Sequence, residues 1–157
     1  MNDTQTLIAT LQSAPQLIIG LVREMPPHTL KRRPGPTEWS VHEHACHLST
    51  ADTAYLLRLD LILSDPAPYI ESLLPSAEEE AGSLLNTDLD EALDLYVRER
   101  ARLVERLQTL SAEEWQRTAK HEAYSRYSVF IMFRDLLLHE MLHAYLIQEL
   151  RLKKDWA

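Results

Sequence analysis

Apolar residues recur at three- and four-residue intervals in four stretches of the chain, and no stretch of strand length alternates between apolar and polar positions. Four long helices are predicted. The first runs from about Thr4 to Met25 on Leu7, Ile8, Leu11, Leu17, Ile18, Leu21 and Val22. Pro15 lacks an amide donor and crowds the turn before it, so a break or kink is expected near Ser13–Pro15, with a stop at Pro26 and Pro27. The second helix opens on a capping box, Ser40 with Glu43 three residues on, in which each side chain satisfies an orphan backbone N–H. It should extend from Ser40 to about Leu63, before Pro66. The third begins near Thr87 or Asp88, where an acid suits the positive end of the helix dipole, and continues to about Leu110. Ser111 and Glu114 predict a short turn carrying Trp115, and the last helix runs from about Ser128 to Leu152.

At about 1.5 Å per residue such helices reach roughly 35 Å, a length that suits an all-α, up-and-down four-helix bundle of a single domain spanning residues 1–157. The stretch from Pro66 to Asn86 is rich in Pro, Ser and Glu and reads as a long, mobile connection with a short helical turn around Ala77–Leu85. Composition narrows the function classes. Only three of the 157 residues are Gly, which disfavours hairpin-rich folds and glycine-dependent nucleotide loops. Sixteen basic against 24 acidic residues give a net charge of −8, so neither nucleic acid nor an anionic membrane is an expected partner. The basic run Lys31–Arg32–Arg33 reads as a solvated loop. A single cysteine, Cys46, excludes an internal disulfide and reads as a small buried hydrophobe. The first residues carry no basic leader and the apolar runs are short of a membrane span, so a cytoplasmic location is expected.

Chemistry enters with histidine. His139 and His143 lie four apart in an otherwise apolar helix, so their imidazoles project from one face a turn apart, able to converge on one metal ion or to sit as hydrogen-bonded core histidines. A third ligand from the second helix would complete a facial set with open coordination positions. His44 and His47 are three apart and share a face there, whereas His42 sits nearer the helix start and reads as solvated. The string His139-Glu140-Met141-Leu142-His143 matches the metalloprotease H-E-x-x-H pattern, with Glu140 as the candidate general base. Too little chain follows for a further helix with a third ligand, and no strand is present to hold a peptide, so a protease is not expected.

Taken together, Trp39-Ser40-Val41-x-Glu43-x-x-x-His47-Leu48, then Ala92-Leu93, Tyr96 and Arg100, then Trp115 and His139-x-x-x-His143 resemble the DinB-like/YfiT-like superfamily of metal-binding four-helix bundles over nearly the whole chain. The resemblance implies a divalent metal ion, zinc or nickel with iron or manganese as further candidates, held by His47, His139 and His143. It also implies a small-molecule substrate, with a low-molecular-weight thiol as cosubstrate in the S-transferases of the family. Other members are described as metal-dependent hydrolases, and homodimers are common. Where many relatives carry Gln three residues after the last histidine this chain has Leu146, and the acidic pattern after the second-helix motif is reduced to Asp52.

The expected activity is thus metal activation of a thiolate, or of a water with Glu140 as base; a non-catalytic metal or ligand sensor is the alternative of a different class. Arg100 interrupts an apolar stripe and needs a carboxylate such as Asp52 or Asp135, or an anionic substrate. Asp135, one turn before His139, is placed either to orient an imidazole or to face solvent, and His121, Tyr124 and Tyr127 are placed to line a site mouth or pack over a bundle end.

Overall fold

The computed structural model describes residues 3–156. In chain order the elements are α1 (Asp3–Arg23), α2 (Val41–Ser64), β1 (Tyr69–Ile70), α3 (Ala77–Glu80), α4 (Leu89–Gln108), α5 (Ala112–Gln116), β2 (Lys120–His121) and α6 (Val129–Arg151), with 3-10 turns at Ser83–Asn86 and Lys154–Trp156. The four long helices form the expected all-α bundle. Both boxes read from sequence are made: Ser40 caps α2 with Glu43, and Ser111 caps α5 with Glu114. α5 buries Trp115 against the edge of Phe133.

Around the bundle the order is α1, α4, α2, α6, so α1 and α2 face each other across the diagonal. The contacts Asp52–Arg100 and Asp60–Arg106 advance together along α2 and α4, which therefore run parallel. The contacts His44–His143 and Tyr55–Phe133 run oppositely along α2 and α6, which are antiparallel. Directions are thus up, down, down, up, and strict alternation gives way because the connection from Asp65 to Asp88 climbs back along the bundle. That connection is docked along its length. β1 pairs with β2 in parallel, the Ser72 amide donates to Glu122 Oε2 (2.9 Å), and Lys31 Nζ donates to the Leu85 carbonyl (2.6 Å). His42 is buried, not solvated as the sequence suggested, because its Nε2 bonds the Leu84 carbonyl of the same connection at 3.1 Å.

The expected break at Pro15 is also absent, and α1 runs unbroken. Proline has no N–H to give the carbonyl of Leu11 one turn earlier, and Arg100 of α4 supplies the missing donor, with Nη1 at 2.6 Å. Arg100 is 2% exposed. Its other donors reach Asp52 of α2 (Nε to Oδ2 2.7 Å, Nη2 to Oδ1 2.8 Å) and Glu140 of α6 (Nη1 to Oε2 3.2 Å, and Nη2 to Oε1). All five N–H groups of a guanidinium are then engaged. Tyr96 adds a hydroxyl bond to Glu140 Oε1 at 2.7 Å. Burial pushes the Asp52 and Glu140 carboxyls upward against the pull of Arg100. The knot divides the core, with Leu59, Leu103, Phe133 and Leu136 toward one end and Ile18, Leu48, Leu93 and Ile147 toward the other.

α1 is, by length and composition alone, apolar enough to cross a membrane, with a mean hydropathy of 1.2, yet Leu7, Leu11, Ile18 and Val22 bury its inner face in the bundle.

Removing one member of a buried, fully bonded ion group leaves the others unpaired, a loss of about 3–5 kcal/mol. Asp52→Ala is expected to lower unfolding stability by that amount in urea titrations. Asp60→Ala, which removes an exposed partner of Arg106, should cost about 1 kcal/mol at most.

Candidate metal centre

Facing helices bring three of the predicted imidazoles together. His47 projects from α2 and His139 and His143 from adjacent turns of α6, and one ring nitrogen from each lies within 4.8 Å of the others. The Nε2 atoms of His139 and His143 are 2.9 Å apart, and those of His47 and His139 are 3.4 Å apart. Ligands at about 2.1 Å from one ion sit roughly 3.0 Å apart at a right angle and roughly 3.4 Å apart at a tetrahedral angle. Two of the three donor spacings thus suit a single first-row divalent cation, and three neutral imidazoles are a suitable donor set for one.

A fourth ring completes the cluster. His44 Nδ1 lies 2.8 Å from His143 Nδ1. With a proton on His143 Nδ1 donated to His44, the Nε2 of His143 carries a lone pair toward the other two histidines. The same-face spacing of His44 and His47 hinted at both residues; their separate roles needed the rotation of α2 against α6. His47 is backed in turn by Glu79 of α3, whose Oε1 is 3.6 Å from Nδ1 while its Oε2 accepts from the Ser76 amide at 2.8 Å. Trp39 covers the cluster, its ring 4.8 Å from that of His47 and nearly parallel to that of His143 at 6.1 Å. Sequence reasoning missed Glu79, and a capping pattern at Ser76 is the signal that could have found it.

Burial, followed by the neighbouring histidines, pushes His143 down to about 2, and burial with His47 pushes His44 down to about 4. Burial also lowers His47 and His139. All four imidazoles are neutral near pH 7, the form that binds a metal.

Glu140 is placed elsewhere. One residue past His139 its side chain points about 100° around the helix, into the core, where it is 0% exposed and committed to Arg100 and Tyr96. The general base expected there is therefore a structural carboxylate. Arg100 takes Asp52 and not Asp135. Asp135 instead lines the cavity over the histidines, and no hydrogen bond joins it to His139 Nδ1 among the described residues. Cys46 is buried with its thiol raised to about 11, outside the cluster. The cavity, of about 600 Å³, runs from His47, His139 and His143 to Arg58, His121 and Tyr124.

A family model of the DinB superfamily matches residues 10–147. The chain belongs to the DinB superfamily. Among solved structures, YfiT from Bacillus subtilis is similar to this DinB-superfamily chain with a TM-score of 0.83 over 100% of this chain and 91% of that one, at 19% identity. It is described as a probable metal-dependent hydrolase with an unusual four-helix bundle topology, and at that identity the likeness speaks for the fold. No curated protein matches the sequence.

Histidines whose folded values lie below the ordinary value of about 6.5 take up protons more readily in the unfolded chain, so stability is present above that pH and lost as pH falls. In this DinB-superfamily protein, treated with chelator, the urea midpoint is expected to drop as pH goes from about 6.5 toward about 4, the value to which His44 is pushed. His44→Gln should flatten part of that slope.

Proposed function

We propose that His47, His139 and His143 hold one divalent metal ion, and that the protein is a metal-dependent enzyme transferring a low-molecular-weight thiol to a small molecule in the cavity above them. The observation that carries this reading is the convergence of three neutral imidazole nitrogens on a 600 Å³ cavity whose nearest sequence-expected base, Glu140, is locked in the core. Bound there, the ion would supply positive charge that favours the thiolate form of a thiol at an open coordination position. A thiol needs no strong protein base for this activation, whereas a water nucleophile profits from one.

The chain's own residues do the rest. His44 sets the tautomer of His143, Glu79 faces the outer nitrogen of His47, and Trp39 screens the rings from solvent. Apolar walls at Ala51, Ala54, Leu138 and Leu142 exclude water from the bound substrate. The resemblance to a superfamily that includes thiol S-transferases supports the thiol, and a reducing cytoplasm suits a lone buried cysteine. Hydrolysis is the second reading, favoured by the description of YfiT and by Asp135, a cavity carboxylate positioned to accept a proton from water.

Elemental analysis of protein purified without a histidine tag should find one metal per chain. His47→Ala, His139→Ala or His143→Ala should each lower that content sharply and His28→Ala should not, while His44→Ala should weaken metal affinity about 10–100-fold. In cobalt-substituted protein, excess thiol should produce a sulfur-to-cobalt charge-transfer band in the near ultraviolet that vanishes in His143→Ala. Absence of the band, together with hydrolysis that Asp135→Asn abolishes, would replace transfer with hydrolysis.

A further inference from the structure

We propose that Arg58 anchors a carboxylate of the substrate, so that the cavity takes an elongated small molecule with its reacting atom at the histidines and a carboxylate at the far end. This deepens the proposed function and rests on the same cavity being the active site. Arg58 lies three turns beyond His47 on α2, about 16 Å along the helix axis, and both residues line that cavity. Apolar residues, among them Ala51, Ala54 and Leu138, separate the two polar ends.

The guanidinium is tied at one nitrogen and keeps other donors to spare. Nη2 donates to the Glu71 carbonyl, and the group packs 5.6 Å from the centre of the Tyr55 ring. Among the described residues Arg58 makes no ion pair, whereas the other arginines drawn inward, Arg33 and Arg100, are matched by Glu43 and by Asp52 with Glu140. An arginine fixed in a cavity with most of its donors uncommitted is a receptor for a planar anion, since its fork matches a carboxylate in two parallel bonds. The Tyr127 hydroxyl, buried behind the lining residues, adjoins Arg58 and feels its charge and that of Asp135.

The surrounding charges disfavour a dianion more than a monoanion. His121 stacks on Tyr124 and Tyr127 at 4.5 and 4.4 Å, and burial with the Arg58 charge holds its imidazole toward the neutral form. Glu122 is turned to the Ser72 amide, while Asp135 of α6 faces the same space. With Asp135 opposing the one cation, Arg58, a phosphate dianion would leave two excess negative charges there and a carboxylate only one.

Calorimetry on the metal-loaded protein tests this with ω-mercaptoalkanoates of increasing length and their primary amides. From the length that reaches Arg58, the acid should bind about ten-fold or more tightly than the amide. That preference should fall to parity in Arg58→Gln, survive in part in Arg58→Lys, and rise in Asp135→Asn, which leaves the tie to Glu71 intact. Equal binding of acid and amide at every length, or an undiminished preference in folded Arg58→Gln, overturns the anchor. Repeating the titration with alkanoates and alkanamides separates the two readings. An Arg58-dependent acid preference there upholds the anchor even when no thiol yields the cobalt band, an outcome that sinks thiol transfer alone.

Discussion

One guanidinium ties the molecule together. Arg100 of α4 bonds a carbonyl of α1, a carboxylate of α2 and a carboxylate of α6, so every long helix contributes to a single buried knot. Apolar packing is non-directional and tolerates sliding of one helix past another, whereas hydrogen bonds from a rigid planar fork do not. The knot therefore sets the axial register of α2 against α6. His139 is the residue beside Glu140, and His47 lies little more than a turn before Asp52. A slip of one turn, about 5.4 Å, would carry His47 beyond the reach of any ion shared with His139 at about 2.1 Å.

Pro15 belongs to the same device. Read locally it breaks a helix, because it removes a donor and crowds the preceding carbonyl. In the fold the removed donor is what leaves the Leu11 carbonyl to accept from Arg100, a buried cation with more hydrogens than its two carboxylates alone engage. A local rule was overridden by a tertiary partner that lies far along the chain, which no reading of α1 alone could reveal. The same holds for His42, whose partner Leu84 sits on the returning connection.

What was legible followed from local physics. The 3.6-residue period located the four helices, and side-chain caps marked where α2 and α5 begin. The four-residue spacing of His139 and His143 was enough to place two imidazoles on one face. Choosing between His44 and His47 was not a local question, because both share the face of α2 turned toward α6. The structure uses both, one in the converging set and one bonded to the back of His143. The H-E-x-x-H string misled for a related reason. A residue next to a candidate ligand on a helix points well away from it, so the match says nothing of where Glu140 lies until a neighbouring helix supplies Arg100 and Tyr96.

The direction of α4 was the least legible feature, and half of the site depends on it. Because α4 runs parallel to α2, the chain must return along the bundle between them, and it does so across the mouth of the histidine cluster. That return segment supplies Glu79 to His47, a leucine wall at Leu73 and Leu74, and the carbonyl of Glu71 that backs Arg58. Its capping box at Ser76 holds one oxygen of Glu79 on a backbone amide, which aims the other toward the His47 ring. An alternating bundle with tight loops would expose the same histidines on an open helix face. The crossover turns that face into the floor of a cavity, with a cation three turns from the imidazoles and apolar walls between.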